Sequence, residues 1–322
     1  MITISVVAIF YNSEAYMRKC IDSVLSQEKV NLELIAVDDC SKDNTFKILE
    51  EYSQKDKRVK IIRHNTNKGI SETRNSGIKA VTGDCYFLID GDDSLPENAL
   101  YQLAKEFNQD VDWVQGGYNI VDENGNILKV KNNPENRYST HLDIVRNFGQ
   151  IEFVYTHNRL VNKKHKHIQF PVGKAHEDRF WNIRAFPMVE KIVNISTPTY
   201  NYTAHTQSFS NKSRRSHLYI DSALKLLHEM DNSEKCWKTE SDTFLITAIE
   251  KNLYLWQQPV KYRLSVLKQI RQRSKKVTID TTYFPRFNKS IHYMIAKNYP
   301  DFVIQLYALI YRTYIRLTKK SV

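Results

Sequence analysis

Three carboxylates interrupted by a single glycine, Asp90-Gly91-Asp92-Asp93, follow directly on the apolar run Cys85-Tyr86-Phe87-Leu88-Ile89. The run is long enough for a buried strand. Acids crowded at the end of such a strand repel one another and are costly to desolvate unless a positive charge sits among them. A divalent cation carrying a phosphate-rich ligand supplies that charge, because hard oxygen donors suit Mg²⁺ or Mn²⁺. Gly91 would let the backbone turn sharply and approach a ligand. The competing reading is an exposed acidic turn. A second pair, Asp38-Asp39, also follows a strand-like run, Leu32–Val37.

The elements that must hold these residues alternate through the first hundred positions. Ile4–Phe10, Leu32–Val37, Val59–Arg63 and Cys85–Ile89 read as strands. Between them lie helical patterns: one through Met17, Cys20, Ile21, Val24 and Leu25, capped by Asn12 or Ser13, one through Phe46, Leu49 and Tyr52, and one over 71–81. Pro96 suits the first turn of a helix over 96–108. Such alternation predicts βαβ units and an α/β fold with a mostly parallel sheet. Ligands of these sheets bind beyond the carboxyl ends of the strands, where both acidic clusters fall. Trp113–Val121 and Ile127–Val130 flank Glu123-Asn124-Gly125-Asn126, a hairpin signal. The stretch 131–170 is polar and carries no clear pattern. From about 212 onward the chain reads as helices over 217–230, 235–256, 260–274 and 301–319.

Charge is unevenly placed. The chain of 322 residues has a net charge of +11, yet residues 251–322 hold 15 Lys/Arg against Asp280 and Asp301 only. Cys20, Cys40, Cys85 and Cys236 show no paired spacing, which favours free thiols in a reducing compartment. Ile2–Phe10 lacks a basic flank and reads as a first strand rather than a signal peptide. No apolar run is long enough to span a bilayer, so a cytoplasmic protein is expected. A dinucleotide-type GxGxxG after the first strand and a P-loop are both missing, which leaves cation neutralisation at Asp90–Asp93 as the route to phosphates.

Five stretches in order carry a resemblance. They are Ala8-Ile9-Phe10-Tyr11-Asn12, Val37-Asp38-Asp39-Cys40-Ser41-Lys42-Asp43-Asn44-Thr45, Asn67-Lys68-Gly69-Ile70-Ser71, Thr73-Arg74-Asn75-Ser76-Gly77-Ile78 and Asp90-Gly91-Asp92-Asp93. Residues 1–100 resemble the N-terminal half of a family 2 glycosyltransferase with the GT-A fold, and similarity continues more thinly to about 210. The resemblance implies an inverting enzyme of bacterial cell-surface glycan synthesis. It implies a catalytic domain over 1–211, with a nucleotide-sugar half (1–110) and an acceptor half (111–211). A helical basic region follows over 212–322.

By the same resemblance, Phe10, Tyr11, Asn12 and Asp39 hold the nucleotide base and ribose of a UDP-sugar donor, with Asp39 accepting from a base N–H. The alternative for Asp39 is a cap on the following helix, a role that suits Asp38 better. Arg74 lies near the donor or is a helix-surface arginine. Asp90 and Gly91 contact the donor, and Asp92 coordinates Mn²⁺ or Mg²⁺, with Asp93 a second metal candidate. In Ala175-His176-Glu177-Asp178-Arg179-Phe180-Trp181, Asp178 corresponds to the catalytic base and Glu177 to its neighbour. Acids there also suit the first turn of a helix. His205 is a further metal ligand, a phosphate donor or a structural histidine.

Tyr155-Thr156-His157-Asn158-Arg159-Leu160 departs from the family pattern on the acceptor side, so the identity of a glycan or lipid-linked acceptor cannot be borrowed from relatives. For the basic tail, an anionic membrane surface at the inner face of the cell membrane is preferred over a solvated basic face. Nucleic acid is not expected, since no recognised motif accompanies the charge. A homo-oligomer is left open. Two rival functions make different demands on the sequence. A non-catalytic nucleotide-sugar-binding subunit predicts a lost base or a broken acidic motif, and a nucleotidyltransferase predicts a basic Gly-rich loop after the first strand. Neither feature is present.

Overall fold

The computed structural model describes residues 2–146, 151, 155–174 and 177–204. His205 and the helices expected after 212 lie outside the described residues, which fall within one compact unit, Met1–Ser208.

Six strands and helices open the chain in strict alternation: β1 (Thr3–Phe10), α1 (Met17–Leu25), β2 (Asn31–Asp38), α2 (Thr45–Lys55), β3 (Val59–Arg63) and α3 (Ile70–Lys79). Then come β4 (Cys85–Asp90), α4 (Ala99–Ala104), β5 (Trp113–Val121), β6 (Ile127–Lys131), β7 (Asn136–Tyr138), α5 (His141–Arg146), β8 (Arg159–Asn162), α6 (Glu177–Ala185) and β9 (Ile192–Thr203). The sheet order is β3-β2-β1-β4-β8-β5-β9-β7, with β6 paired to β5. β1 to β4 are parallel. The second half is mixed: β8 runs antiparallel to both β4 and β5, while β9 runs parallel to β5 and antiparallel to β7. The expected α/β class holds, and so does the expected hairpin, since β5 and β6 pair antiparallel. β7 and β8, which make the other antiparallel pairs, come from the stretch whose sequence showed no clear pattern.

Burial on both faces explains the apolar strands. β1 and β2 are buried almost throughout, as parallel strands covered by helices on each side must be. Gly77 of α3 packs where an added Cβ would lie 2.3 Å from Val7 of β1, so the helix can come down on the sheet only with glycine there.

Two local expectations need correction. α1 begins at Met17, several residues after Asn12 and Ser13, with no side-chain cap. Asn12 instead takes a left-handed backbone (φ 49°) and its Oδ1 accepts from Lys42 N, while Ser13 Oγ accepts from Tyr11 N. These residues tie the loop after β1 to the loop after β2 instead of starting a helix. The helix expected over 96–108 is also shorter. Pro96 precedes α4, and its carbonyl accepts from Gln27 Nε2 and Ala99 N.

Candidate active site

Strand register gathers the acidic clusters. Phe10 at the end of β1 lies opposite Asp38 of β2, and Ile9 lies opposite Asp90 of β4. The carboxyl ends of three neighbouring strands therefore deliver Tyr11, Asp39 and Asp90 to one edge of the sheet.

Asp39 is buried and heavily engaged. Its Oδ1 accepts from His64 Nδ1 at 2.7 Å and Lys68 N at 2.8 Å, and its Oδ2 from Gly69 N at 2.8 Å. His64 Nε2 lies 2.9 Å from Ser76 Oγ, so the ring bridges the carboxylate to α3. Burial pushes the Asp39 carboxyl up, but His64 and the two backbone N–H groups hold it below the usual range. Those N–H groups belong to the loop and first residue before α3, so Asp39 sits at the start of α3 and not of the following α2. Asp38 does not cap α2 either: its Oδ1 accepts from Ser41 N at 3.2 Å. A carboxylate has about four acceptor positions, so Asp39 can accept one more bond.

Phe10 and Gly91 also have a structural part. The Phe10 ring is buried in the core, while Tyr11 beside it is half exposed. A Cβ on Gly91 would lie 2.5 Å from the Phe10 ring and 2.7 Å from the Ile9 carbonyl oxygen. The close approach that glycine permits is therefore to the protein's own β1.

Arg74 is the centre of the site. Its buried guanidinium donates through Nη2 to Asp90 Oδ1 at 2.9 Å, and through Nη1 to Glu177 Oε1 at 2.8 Å and Asp178 Oδ1 at 3.2 Å. One cation thus draws together carboxylates from β4 and from α6. The neighbouring Asn75 explains how. Its side chain donates to the Phe170 carbonyl at 3.0 Å and accepts from Phe170 N at 2.8 Å, pinning that segment to α3. Phe170 stacks on Trp181 of α6, and Trp181 Nε1 donates to Ile168 O. Packing of Trp181 thereby fixes the azimuth of α6 and aims its first turn at Arg74. A surface arginine is ruled out for Arg74.

Burial pushes Asp90 up, and Arg74 brings it below the ordinary carboxylate range. Glu177 is raised by burial and by the Asp178 charge, against the pull of Arg74. Asp90 is about 30% exposed, Glu177 15% and Asp178 17%, so all three face an opening.

The remaining acids differ. Asp92 is exposed. Asp93 is buried, with Oδ1 accepting from Thr203 N at 2.7 Å and Oδ2 from the Tyr200 hydroxyl at 2.5 Å. Burial and the Asp92 and Asp90 charges raise Asp93 well above the usual range. Each of its oxygens accepts a bond from β9 and the side chain is buried, so of the two candidates it is Asp92 that faces outward. Among the described residues no group of three or more His, Cys, Asp or Glu is arranged to hold a metal.

His157 and Thr156 were not singled out from sequence. The His157 ring stacks on Tyr200 at 4.3 Å and on Tyr155 at 4.8 Å. Burial lowers it to about 4 despite the nearby Asp178 and Asp90, so it is neutral near pH 7. Thr156 Oγ1 donates to Asp178 Oδ1 at 2.5 Å. Neither residue sits in a recognisable motif, and only the departure of 155–160 from the family pattern marked the place.

Residues 5–168 match the model of glycosyl transferase family 2, half of the chain. The chain belongs to glycosyl transferase family 2. Among curated relatives of this family 2 enzyme, EpsH of Bacillus subtilis, named as a glycosyltransferase, is 28% identical over 259 residues, covering 76% of this chain and 74% of EpsH. Glycosyltransferase GlyA of Streptococcus pneumoniae is 26% identical over 220 residues, 64% of this chain but only 31% of GlyA. Among solved structures, S. aureus TarS 1–349 in complex with UDP-GlcNAc matches with a TM-score of 0.71 at 19% identity, covering 98% of this chain and 92% of that one. The mannosyltransferase PcManGT from Pyrobaculum calidifontis, in complex with GDP-Man and Mn²⁺, matches at 0.55 and 11% identity, covering 96% and 86%. These likenesses show the GT-A fold of the family 2 enzyme. Among its described residues no helix is long and apolar enough to cross a membrane.

Proposed function

We propose that this chain moves a sugar, with inversion, from a UDP-sugar to a hydroxyl of a glycan or lipid-linked acceptor in the synthesis of a bacterial cell-surface polysaccharide. The observation that carries the reading is the sharing of Arg74 between Asp90 at a strand end and Glu177-Asp178 on α6. Asp90, the proposed donor-side acid, and Asp178, the proposed base, meet at one guanidinium, which supports a transfer between two bound substrates. The UDP-GlcNAc complex of TarS supports a nucleotide-sugar donor.

In the proposed step the acceptor oxygen forms a bond to the anomeric carbon as the bond from that carbon to the diphosphate oxygen breaks. The diphosphate leaves with the electron pair, and Asp178 takes the acceptor's proton. Asp39, with one acceptor position left, receives the base N–H, and the exposed Tyr11 lies beside it. Asp92 and Asp90 would hold Mn²⁺ or Mg²⁺, because these cations are commonly bound by one or two carboxylates together with substrate phosphates. The Mn²⁺ complex of PcManGT supports this reading. A bound cation would act as a Lewis acid on the leaving diphosphate. His205 stands as a further ligand candidate, and the basic residues of 251–322 are assigned to an anionic membrane surface.

Asp178→Asn tests the reading. The variant keeps the thermal stabilisation that UDP-sugars with Mn²⁺ give the parent; a ligand at one hundred times its Kd adds about 2.7 kcal/mol. It loses transfer. Unchanged turnover in this variant removes Asp178 from the mechanism.

A further inference from the structure

We propose that Thr156 is a positioning residue that fixes the Asp178 carboxylate so that its Oδ2 atom receives the acceptor's proton. The inference rests on the reading of Asp178 as the base. Both bonds that Asp178 accepts among the described residues end on one oxygen: Thr156 Oγ1 at 2.5 Å and Arg74 Nη1 at 3.2 Å reach Oδ1. Two donors on different elements, one on the 155–158 segment and one on α3, restrain the carboxylate from rotating. Oδ2 is then the oxygen available to a substrate.

The threonine is itself held. Tyr155 O accepts from Arg159 Nη2 and from Asn182 Nδ2, the latter at 3.2 Å and four residues along α6 from Asp178. On the other side His157 stacks on Tyr200, and Asn158, in a left-handed backbone (φ 63°), donates through Nδ2 to Gly116 O at 2.6 Å. Thr156 is buried between these anchors, so its hydroxyl is aimed before substrate arrives. Orientation of a reacting group set in advance lowers the barrier, and a misplacement of about 1 Å costs on the order of a hundredfold.

A purely structural role is the alternative, since the same bond docks 155–158 on α6. Thr156→Val removes the hydroxyl at nearly constant volume, and Thr156→Ser keeps it. Turnover is read as UDP release, with water as acceptor and Mn²⁺ present, from the most active of UDP-glucose, UDP-galactose, UDP-N-acetylglucosamine and UDP-N-acetylgalactosamine. Expected for valine is a fall in kcat of about tenfold or more, with the donor KM and the melting temperature unchanged. Serine restores the rate. If valine lowers the melting temperature, Thr156→Ala is scored by the same criteria. A valine or alanine variant at full kcat overturns the proposal, as does serine with the rate of valine. Asp178→Asn run in parallel separates the two failures. If it still releases UDP, the base assignment fails; if it is silent while valine is fully active, only the role of Thr156 fails.

Discussion

Arg74 carries one positive charge opposite three carboxylates, each with some exposure, while the guanidinium is buried. The surplus is negative, which favours the entry of the proposed cation. Removing the arginine leaves the acids with no compensating charge and an empty space among them. Arg74→Gln is expected to cost about 3 kcal/mol, typical of a buried ion pair that loses one partner. The cost should depend on pH. Asp90 is held below its ordinary range by Arg74 against burial. Without that partner its folded-state value rises above the unfolded one, so stability falls as pH rises through the carboxylate range. Chemical denaturation of the variant should show a smaller loss near pH 4 than at pH 8. Equal losses at both would mean that packing, not charge, is what Arg74 supplies.

At the scale of elements, the parallel half of the sheet is clamped by Glu33 of β2. Its carboxylate accepts from Ser5 Oγ of β1 at 2.5 Å, from Lys60 Nζ of β3 at 2.5 Å, and from Thr82 N and Oγ1 just after α3. Burial pushes the group up, but these donors bring it from 4.5 down to about 2. A depressed folded value stabilises fully above the unfolded value and is lost as pH falls from about 4.5 through about 2. Glu33→Gln should therefore lower stability at pH 7 by on the order of 2–3 kcal/mol and flatten the acid limb of the stability profile. Retention of the full acid limb would place the effect elsewhere. The clamp lies far along β2 from Asp38, so it holds strands together without touching the site.

For the whole molecule, the division of charge is the feature that the described fold does not use. Residues 251–322 carry 15 Lys/Arg against two acids, whereas residues 1–250 are close to balance. Lys and Arg near an anionic bilayer contribute about 1 kcal/mol each, and salt screens them. The intact chain should float with phosphatidylglycerol-containing vesicles at low salt, ignore phosphatidylcholine vesicles, and be released at high salt. A folded protein that ignores the anionic vesicles refutes the membrane assignment.

Much of the fold was legible because buried parallel strands read as apolar runs and helices between them as 3.6-residue patterns, both local properties. β7, of three residues, and β8, of four, were not, since strands that short are set by their neighbours. The polar residues divide in the same way. Asp39, Asp90, Asp92 and Asp178 stood out by type and by place at strand or helix ends. Asp93 looked like Asp92, yet it is buried and bonded to β9, Gly91 also leaves room for the Phe10 ring, and Thr156 and His157 carried no signal. Sequence alone determined the order of elements and the acids that line one edge of the sheet, because strand patterning and register are written along the chain. Only the tertiary structure decided which acids remain open to a ligand and which residues hold them. That depends on Arg74, Asn75 and Tyr200 meeting partners about a hundred positions away, and contacts that distant are settled by packing.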